Sequence, residues 1–292
     1  NFGNCDERIL QKELILRWTY TPDIVIIGSS RTMQISSESF PGLSLFNNSV
    51  SNACLNDIIG IYQLYKDKNV VPDKIIIGID PLIFSANHKD ERWRSIESSY
   101  YKFKNSSYNK NSMVYKYKQL LSFTYFQSSI EYLKQKAKGI YPKETDSKFN
   151  ATKTKLNDGS LIYGKKNREI SISGIENKVN LFLSYDIKNY ESFKSISETV
   201  WNDFEMLIRD MKKNNVKVEF FLAPYHPEIY KEFSLKFQSV PEVENKIIVF
   251  ANKNNIKIYG SFNPDNIELN GNHFYDGIHC TKNGINKILF FK

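Results

Sequence analysis

The sequence predicts an α/β fold in which helices cover both faces of a parallel sheet. Five short apolar runs rich in β-branched residues lack the polar alternation of half-exposed strands, which is typical of strands buried on both faces. Helical patterns lie between most of these runs, so that strand and helix alternate as in right-handed βαβ units. One long interval, between residues 80 and 191, breaks this rhythm.

Each element is predicted from its own pattern, in chain order. Apolar and charged residues at helical spacing predict a leading helix at 7–18. The five apolar runs predict strands at 23–28, 43–47, 74–79, 217–223 and 257–259. The remaining helical patterns predict helices at 55–68, 192–214, 241–254 and 282–291.

The interval after the third strand is too long for a plain crossover, so we interpret residues 85–190 as an insertion within a single domain of residues 1–292. Apolar spacing in 98–138 suits one or two helices, and Asp158-Gly159 between β-prone flanks predicts a hairpin within 153–163. Ligands of open parallel sheets bind beyond the carboxyl ends of the strands, so we expect the insertion to form a lid there and to shape acceptor specificity. The alternative is an insertion that extends the core or mediates oligomer contacts.

The composition narrows the functional classes. With 292 residues and 41% hydrophobic content, the chain can bury a sizeable core. Its net charge of +8 comes mainly from scattered lysine, without an arginine-rich helix or a basic-aromatic module, so we expect no nucleic-acid partner. The lysines indicate either an ordinary solvated surface or attraction to an anionic surface or polymer. No apolar run is long enough to span a membrane, and a start at Asn1 suggests that an N-terminal signal or anchor has been removed.

The cysteines and histidines predict no metal site. Cys5, Cys54 and Cys280 have no metal-ligand spacing, and the four histidines are dispersed along the chain. We therefore expect neither a metal nor a cofactor. Cys54 and Cys280 are expected to lie near one another, where they form either a disulfide in an oxidising compartment or two separate buried thiols.

A serine and an Asp/His pair are candidates for nucleophilic catalysis. Ser30 follows the first strand in a tight Gly-Ser-Ser turn, where its hydroxyl would be exposed beside backbone N–H groups. Asp276 precedes His279 by three residues, just ahead of the last helix, and could orient the imidazole that accepts the serine proton. The alternatives are a helix cap at Ser29-Ser30 and an ordinary turn with an N-cap at Asp276-Gly277.

Other polar residues are expected at the same edge of the sheet. The second strand runs into an Asn/Ser-rich loop that could supply a backbone N–H to an oxyanion, and the third strand ends at Asp80. Asp80 could orient neighbouring backbone or accept from a substrate hydroxyl. His226, between two prolines after the fourth strand, is the second candidate base or substrate contact. Each of these has an ordinary turn or cap as its alternative.

Together these stretches resemble the SGNH (GDSL-like) hydrolase superfamily, whose sequence blocks follow successive strands of a flavodoxin-like sheet. Ser30 stands at the place of the nucleophile, and Asn52 stands at the place of the oxyanion-hole glycine. Asp80 occupies the position of the oxyanion-hole asparagine, while Asp276 and His279 match the Asp-x-x-His block fully. The resemblance covers the sheet and excludes the insertion.

Two positions depart from the family pattern. A carboxylate at Asp80 cannot donate to an oxyanion unless it is protonated. Asn52 can still offer its backbone N–H, although its side chain narrows the site relative to glycine. These departures, together with Arg31 in the GSSR phrase and the IDPLIF phrase, are similar to an extracytoplasmic acyl-transfer branch. That branch includes the D-alanyl transfer proteins of teichoic acid and the O-acetyltransferases of surface polysaccharides.

The resemblance implies an extracytoplasmic O-acyltransferase that modifies a cell-surface polysaccharide. Ser30, Asp276 and His279 would be catalytic, and Asn52, Asp80, Arg31 and His226 would lie near the oxyanion or the substrate. The partners would be an acyl donor and a polysaccharide acceptor. A membrane protein could present the donor. Membrane contact would be made only through an N-terminal anchor outside this chain. The alternatives are an SGNH esterase with water as acceptor and a non-catalytic glycan-binding or assembly protein.

Overall fold

The centre of the molecule is a five-stranded parallel sheet. The computed structural model describes residues 6–86, 88, 90–106, 130, 133–134, 136–139 and 150–291. The sheet strands are β1 (Ile24–Ile27), β2 (Leu45–Asn47), β3 (Lys74–Ile79), β6 (Lys217–Leu222) and β7 (Lys257–Gly260). Their order is β2-β1-β3-β6-β7, and every neighbouring pair is parallel, which is consistent with a flavodoxin-like fold. All five predicted strands are confirmed, each within two residues of its predicted ends.

Helices connect and cover these strands. The described α-helices are α1 (Glu7–Arg17), α2 (Leu55–Lys68), α3 (Glu97–Phe103), α4 (Lys165–Arg168), α5 (Ile172–Leu181), α6 (Lys188–Glu191), α7 (Glu198–Lys213), α8 (Pro227–Lys236), α9 (Ser239–Asn254) and α10 (Lys282–Phe290). A π-helical turn, Phe182–Asp186, follows α5. Shorter 3₁₀ turns lie at Ser37–Ser39, Pro81–Phe84, Arg92–Ile96, Pro264–Ile267 and Gly271–His273.

The helix predictions need correction at two places, a late start and a helix that was not predicted. The helix predicted from residue 192 begins only at Glu198, because the Ser197 side chain caps it by accepting from the Val200 N–H. The helix α8 was not predicted, since two prolines around His226 indicate a rigid loop. In the structure His226 is the N-cap and Pro227 is the first helical residue, a position that suits proline.

Successive residues of each strand pack alternately into two hydrophobic cores on opposite faces of the sheet. Val25, Ile27 and Ile77 belong to the larger core, which α2, α7 and α9 cover. Ile26 and Ile76 belong to the smaller core, which α10 closes with Ile285 and Ile288. Since strand side chains alternate between faces, both faces of the sheet are buried, as predicted. Within the described ranges, no helix combines the length and the apolar character needed to cross a bilayer.

The predicted hairpin of the insertion is present. Strands β4 (Thr154–Lys155) and β5 (Leu161–Ile162) pair antiparallel. Gly159 at its tip has a φ of +75°, and a Cβ there would lie 2.4 Å from the Asn47 carbonyl oxygen, so the site requires glycine. The Asn47 N–H donates to the Asp158 carbonyl at 2.7 Å, which docks the hairpin at the carboxyl end of β2. Of the region 98–138, α3 covers the start, and most of the remainder lies outside the described residues.

Candidate active site

The turn after β1 holds Ser30 at the carboxyl edge of the sheet. A Cβ added to Gly28 or to Gly78 of β3 would lie 2.6 Å from the Thr32 side chain, so both glycines make room for this turn. The Thr32 hydroxyl also lies 2.8 Å from the Ser49 hydroxyl in the loop after β2. Residues 30–34 form a turn and not a helix, so the helix-cap alternative for Ser30 is wrong.

Ser30, His279 and Asp276 form a continuous chain of hydrogen bonds. The Ser30 hydroxyl lies 2.8 Å from His279 Nε2. On the other side of the ring, His279 Nδ1 lies 2.9 Å from Asp276 Oδ2 and 3.1 Å from Oδ1. The predicted serine–histidine pair is therefore confirmed as geometry, with the carboxylate on the far side of the imidazole. A serine hydroxyl, an imidazole and a carboxylate stand in the relation that serine-dependent acyl transfer requires.

The charged form of Asp276 is strongly favoured. Burial acts to raise the pKa of Asp276, but the hydrogen bond and charge of His279 and two backbone N–H groups outweigh it. Those N–H groups belong to Ile278 and His279, and each lies 2.9 Å from Asp276 Oδ1. The pKa of Asp276 accordingly falls from 3.8 to about 2. A fixed carboxylate can hold the imidazole in one tautomer and stabilise its protonated form.

Short backbone contacts shape the histidine loop, which we define as residues 273–281. The Tyr275 N–H donates to the His279 carbonyl, and the Thr281 N–H donates to the His273 carbonyl, each at 2.8 Å. The Thr281 hydroxyl then accepts from the Gly284 N–H and begins α10. The loop is thereby closed immediately before the helix.

Arg31 connects the histidine loop to three strands. Its buried guanidinium pairs with Asp80 at 2.5 Å and donates to the Ile278 carbonyl at 3.3 Å. The same group donates to the carbonyls of Ala223 and Pro224 after β6, and it lies over the Tyr225 ring at 4.0 Å from its centroid. These contacts indicate that Arg31 holds loops together. Its contact with a substrate stays a prediction.

The loop after β2 lies directly beside the serine turn. The Asn48 N–H donates to the Ile26 carbonyl and the Val50 N–H donates to the Gly28 carbonyl, so the β1–β2 ladder continues past the end of β2. Ser30 and Asn52 each lie two residues beyond the last bonded pair. Asn52 has a φ of +51°, a conformation that glycine adopts readily.

The oxyanion donors available here are backbone N–H groups. Asp80 is paired with Arg31 and acts as an acceptor, so it does not replace an asparagine donor. The Asn52 side chain donates to Asp90 at 2.7 Å, an interaction that the sequence did not predict. Among the described residues, the N–H groups of Ser30 and Asn52 have no acceptor. They are the two candidates for binding a developing oxyanion.

His226 supports the histidine loop and is not bonded to Ser30. Its N–H donates to the Gly277 carbonyl at 3.0 Å, and its Nδ1 accepts from the Glu228 N–H at 3.4 Å as the cap of α8. Burial lowers the pKa of the imidazole and favours the neutral ring that this cap needs. The structure therefore brings His279 to Ser30, and not the second candidate base.

Several residues between 150 and 191 pack around the site. The Tyr163 ring lies 5.9 Å from the His279 ring and 5.1 Å from the Tyr275 ring. The Lys153 ammonium lies over the Tyr163 ring, 5.2 Å from its centroid. A Cβ at Gly277 would lie 3.2 Å from Phe182. Sequence reasoning missed Tyr163, since a tyrosine after a hairpin carries no local signal of a long-range partner.

The cysteines expected to lie together are both free and buried. Cys54 precedes α2, where its thiol and its N–H donate to Asp57. Cys280 belongs to the smaller core on the opposite face from α2, and burial raises the pKa of its thiol to about 12. The disulfide that the sequence left open is therefore not formed, and the alternative of two separate thiols is correct. Cys5 lies outside the described residues.

Comparison with known proteins adds no family to these observations. A scan against models of protein families finds no match for the chain, and a search of curated proteins finds no similar one. In the described part of the chain, no group of three or more His, Cys, Asp or Glu side chains is placed to hold a metal ion.

Proposed function

We propose that the chain is an SGNH-type serine acyltransferase that modifies a hydroxyl group of a cell-surface polysaccharide. The observation that carries the proposal is the hydrogen-bonded series from the Ser30 hydroxyl through His279 to Asp276. Its position at the carboxyl edge of a parallel sheet is also where such folds bind ligands. The resemblance of the GSSR and Asp-x-x-His phrases to the superfamily is independent support from sequence.

The first half-reaction transfers the acyl group to the enzyme. His279 Nε2 takes the hydroxyl proton as Ser30 Oγ attacks the carbonyl carbon of the acyl donor. The carbonyl oxygen becomes an oxyanion, and the N–H groups of Ser30 and Asn52 stabilise it. As the intermediate collapses, the bond from the acyl carbon to the leaving group breaks, and His279 returns the proton to that group. Acyl-Ser30 remains.

The second half-reaction reverses these roles on an acceptor hydroxyl. His279 removes the acceptor proton while the acceptor oxygen attacks acyl-Ser30, and the same proton then returns to Ser30 Oγ. Tyr163 from the insertion lies beside His279 and Lys153 lies over the Tyr163 ring, and tyrosine and lysine suit contacts with a polysaccharide. The place of action outside the cytoplasmic membrane, and a donor presented by a membrane protein, are proposed from the resemblance alone.

An esterase is the second candidate, because the same three residues can direct water at acyl-Ser30. The observation that favours it is the partial exposure of the site: the His279 side chain is 19% exposed and the Asp276 side chain is 27% exposed. Water can therefore approach the base directly. The two functions differ only in how acyl-Ser30 partitions between a sugar hydroxyl and water.

A fluorophosphonate probe tests the proposal. We expect labelling of Ser30 in the native protein, no labelling in Ser30→Ala, and retained labelling in Ser29→Ala, the neighbouring serine that accepts from the Arg31 N–H. Ser30→Ala should also lower the hydrolysis of p-nitrophenyl acetate by at least about 10⁴-fold while the fold is kept. A folded native protein that the probe does not label would favour the non-catalytic glycan-binding alternative.

The partition of the acyl group separates transferase from esterase. Acetyl-Ser30 formed from p-nitrophenyl acetate should decay faster when an oligosaccharide acceptor is added, and the acetyl group should appear on the sugar. An unchanged decay rate over a range of surface glycans would instead support the esterase.

A further inference from the structure

The leading helix α1 buries two polar residues, Arg8 and Gln11, on the same face as the apolar Ile15. Arg8 and Gln11 are 1% and 0% exposed, whereas Ile9 and Leu16 of the same helix are 42% and 39% exposed. The two buried polar side chains must have hydrogen-bonding partners, since unpaired buried polar groups are costly. Those partners lie in the loop after β2, which contains Asn52, and at Asp57 in the first turn of α2.

Two residues of α1 hold the peptide groups on either side of Ser51. The Glu7 carboxylate accepts from the Ser51 N–H and from its hydroxyl. Arg8 Nη2 donates to the Ser51 carbonyl at 3.0 Å. A third residue, Gln11, accepts from the Asn48 side chain at 2.7 Å. The loop is therefore attached to α1 at both of its ends.

The arginine is itself held by a buried carboxylate. Arg8 Nε and Nη2 donate to the two oxygens of Asp57 at 2.9 and 3.0 Å, and both side chains are almost fully buried. This two-point contact fixes the plane of the guanidinium and leaves Nη2 directed at the Ser51 carbonyl. Lysine, with a single ammonium group on a flexible stem, cannot reproduce both contacts in one geometry.

The contact with the Ser51 carbonyl orients the Asn52 N–H. The Ser51 carbonyl and the Asn52 N–H belong to one planar trans peptide group, in which they point in opposite directions. With the carbonyl directed at Arg8, the N–H is directed away from α1. That N–H has no acceptor among the described residues. The last observed bond between the two loops, from the Val50 N–H to the Gly28 carbonyl, lies two residues before Asn52 on one side and two residues before Ser30 on the other.

We infer that Arg8 is a positioning residue that aims the Asn52 N–H at the oxyanion formed on Ser30. The inference rests on the proposed acyl-transfer function and adds a residue remote from the triad. Arg8 touches neither substrate nor reacting atoms. It acts through the Ser51–Asn52 peptide group, with Asp57 as its anchor and Glu7 as the support of the preceding peptide group.

The test compares Arg8→Lys with Arg17→Lys, a matched change at the exposed end of the same helix, where Arg17 pairs with Glu13 at 3.7 Å. Loss of one oxyanion donor lowers kcat by about 10²–10³-fold, and misdirection should cause a loss of about 10–100-fold. We expect Arg8→Lys to lower kcat for p-nitrophenyl acetate by that factor with KM unchanged. Arg17→Lys should leave both constants unchanged.

A second readout follows the Asn52 amide itself by ¹⁵N–¹H NMR. When a fluorophosphonate forms a tetrahedral adduct on Ser30, the Asn52 amide proton should move downfield in the native protein and in Arg17→Lys, and not in Arg8→Lys. A kcat and an amide shift in Arg8→Lys equal to those of the native protein would overturn the inference. If Arg8→Lys fails to fold, Glu7→Ala takes its place, with a smaller expected loss of about 3–10-fold for partial release of one peptide group.

Failure of the inference is distinguishable from failure of the proposed function. If the native protein forms the adduct on Ser30 but its Asn52 amide does not move, the inference alone is wrong. If the folded native protein forms no adduct at all, the proposed function is wrong, and the inference falls with it.

Discussion

Two buried arginine–aspartate pairs support opposite halves of the candidate site. Arg31 pairs with Asp80 and donates to carbonyl groups of three other residues, in the loop after β6 and in the histidine loop. Arg8 pairs with Asp57 and, within the part of the chain that the structure describes, donates to one carbonyl, that of Ser51. The first pair therefore joins several loops to each other, whereas the second orients one peptide group from outside the site.

This difference suggests that the two pairs have different roles: one aligns Ser30 with His279, and the other supports binding of the oxyanion. Arg31 follows Ser30 directly and reaches the residue before His279, so its loss should disturb the serine–histidine alignment. Arg8 contacts Asp57 and the loop that carries Asn52 and is not bonded to the histidine loop, so its loss should leave that alignment intact and weaken oxyanion binding. A buried ion pair is weak evidence for stability by itself, and its value here lies in the geometry that it specifies.

Among the substitutions that compare the two pairs, the largest loss of kcat is expected from replacing Arg31. A lysine at position 31 keeps a positive charge opposite Asp80, but its single ammonium group cannot donate to carbonyls in both the histidine loop and the loop after β6. We therefore expect Arg31→Lys to lower kcat by about 100-fold. The far-downfield proton NMR signal of the His279 Nδ1–H bonded to Asp276 should weaken or shift. The same signal should be unchanged in Arg8→Lys. Loss of the signal in both variants, or in neither, would contradict the proposed difference in roles.

A second test measures how Asp276, the carboxylate bonded to His279, makes the unfolding free energy depend on pH. The pKa of Asp276 is lowered in the folded protein, from 3.8 to about 2, so ionised Asp276 stabilises the fold above pH 4 and that contribution is lost as the pH falls towards 2. The shift corresponds to about 2 kcal/mol of unfolding free energy. Urea unfolding of the native protein and of Asp276→Asn at pH 5 and pH 2 should show this difference.

The matched control for that experiment is Asp265→Asn, an exposed aspartate in the neighbouring 3₁₀ turn. It should keep the pH dependence of the native protein. A native protein and an Asp276→Asn variant whose unfolding free energies fall in parallel between pH 5 and pH 2 would show that Asp276 carries no such contribution.

Local patterns were sufficient to predict the sheet and the triad. The strands contain apolar β-branched runs, and the Gly-Ser-Ser and Asp-x-x-His phrases each lie within a few residues of chain. The helix α8 is not among the predicted helices, because the two prolines around His226 indicate a rigid loop. Pro227 and Glu228 directly after His226 are nevertheless typical of the first turn of a helix, so α8 has a local signal in the sequence.

The supports of the site could not be predicted in the same way. Amphipathic spacing in α1 suggests that its apolar residues face inward, yet Arg8 and Gln11 are buried and Ile9 is exposed. The reason is a polar partner loop about 40 residues further along the chain, which no pattern within the helix can indicate. The same holds for Arg31. The sequence shows that it follows Ser30, but its carbonyl partners lie 192 to 247 residues further along the chain.

The smallest effect is expected from a substitution at Asn52. This substitution tests whether Asn52 contributes its backbone N–H or its side chain to oxyanion binding. If Asn52 contributes only its backbone N–H, Asn52→Gly should keep kcat within about threefold of the native value, because glycine adopts a φ of +51° readily. A loss of tenfold or more in a folded Asn52→Gly variant would instead assign the contribution to the side-chain amide that donates to Asp90. In that case Arg8, which acts through the Ser51–Asn52 peptide group, would matter less than Asp90, and Asp90→Ala would reproduce the loss.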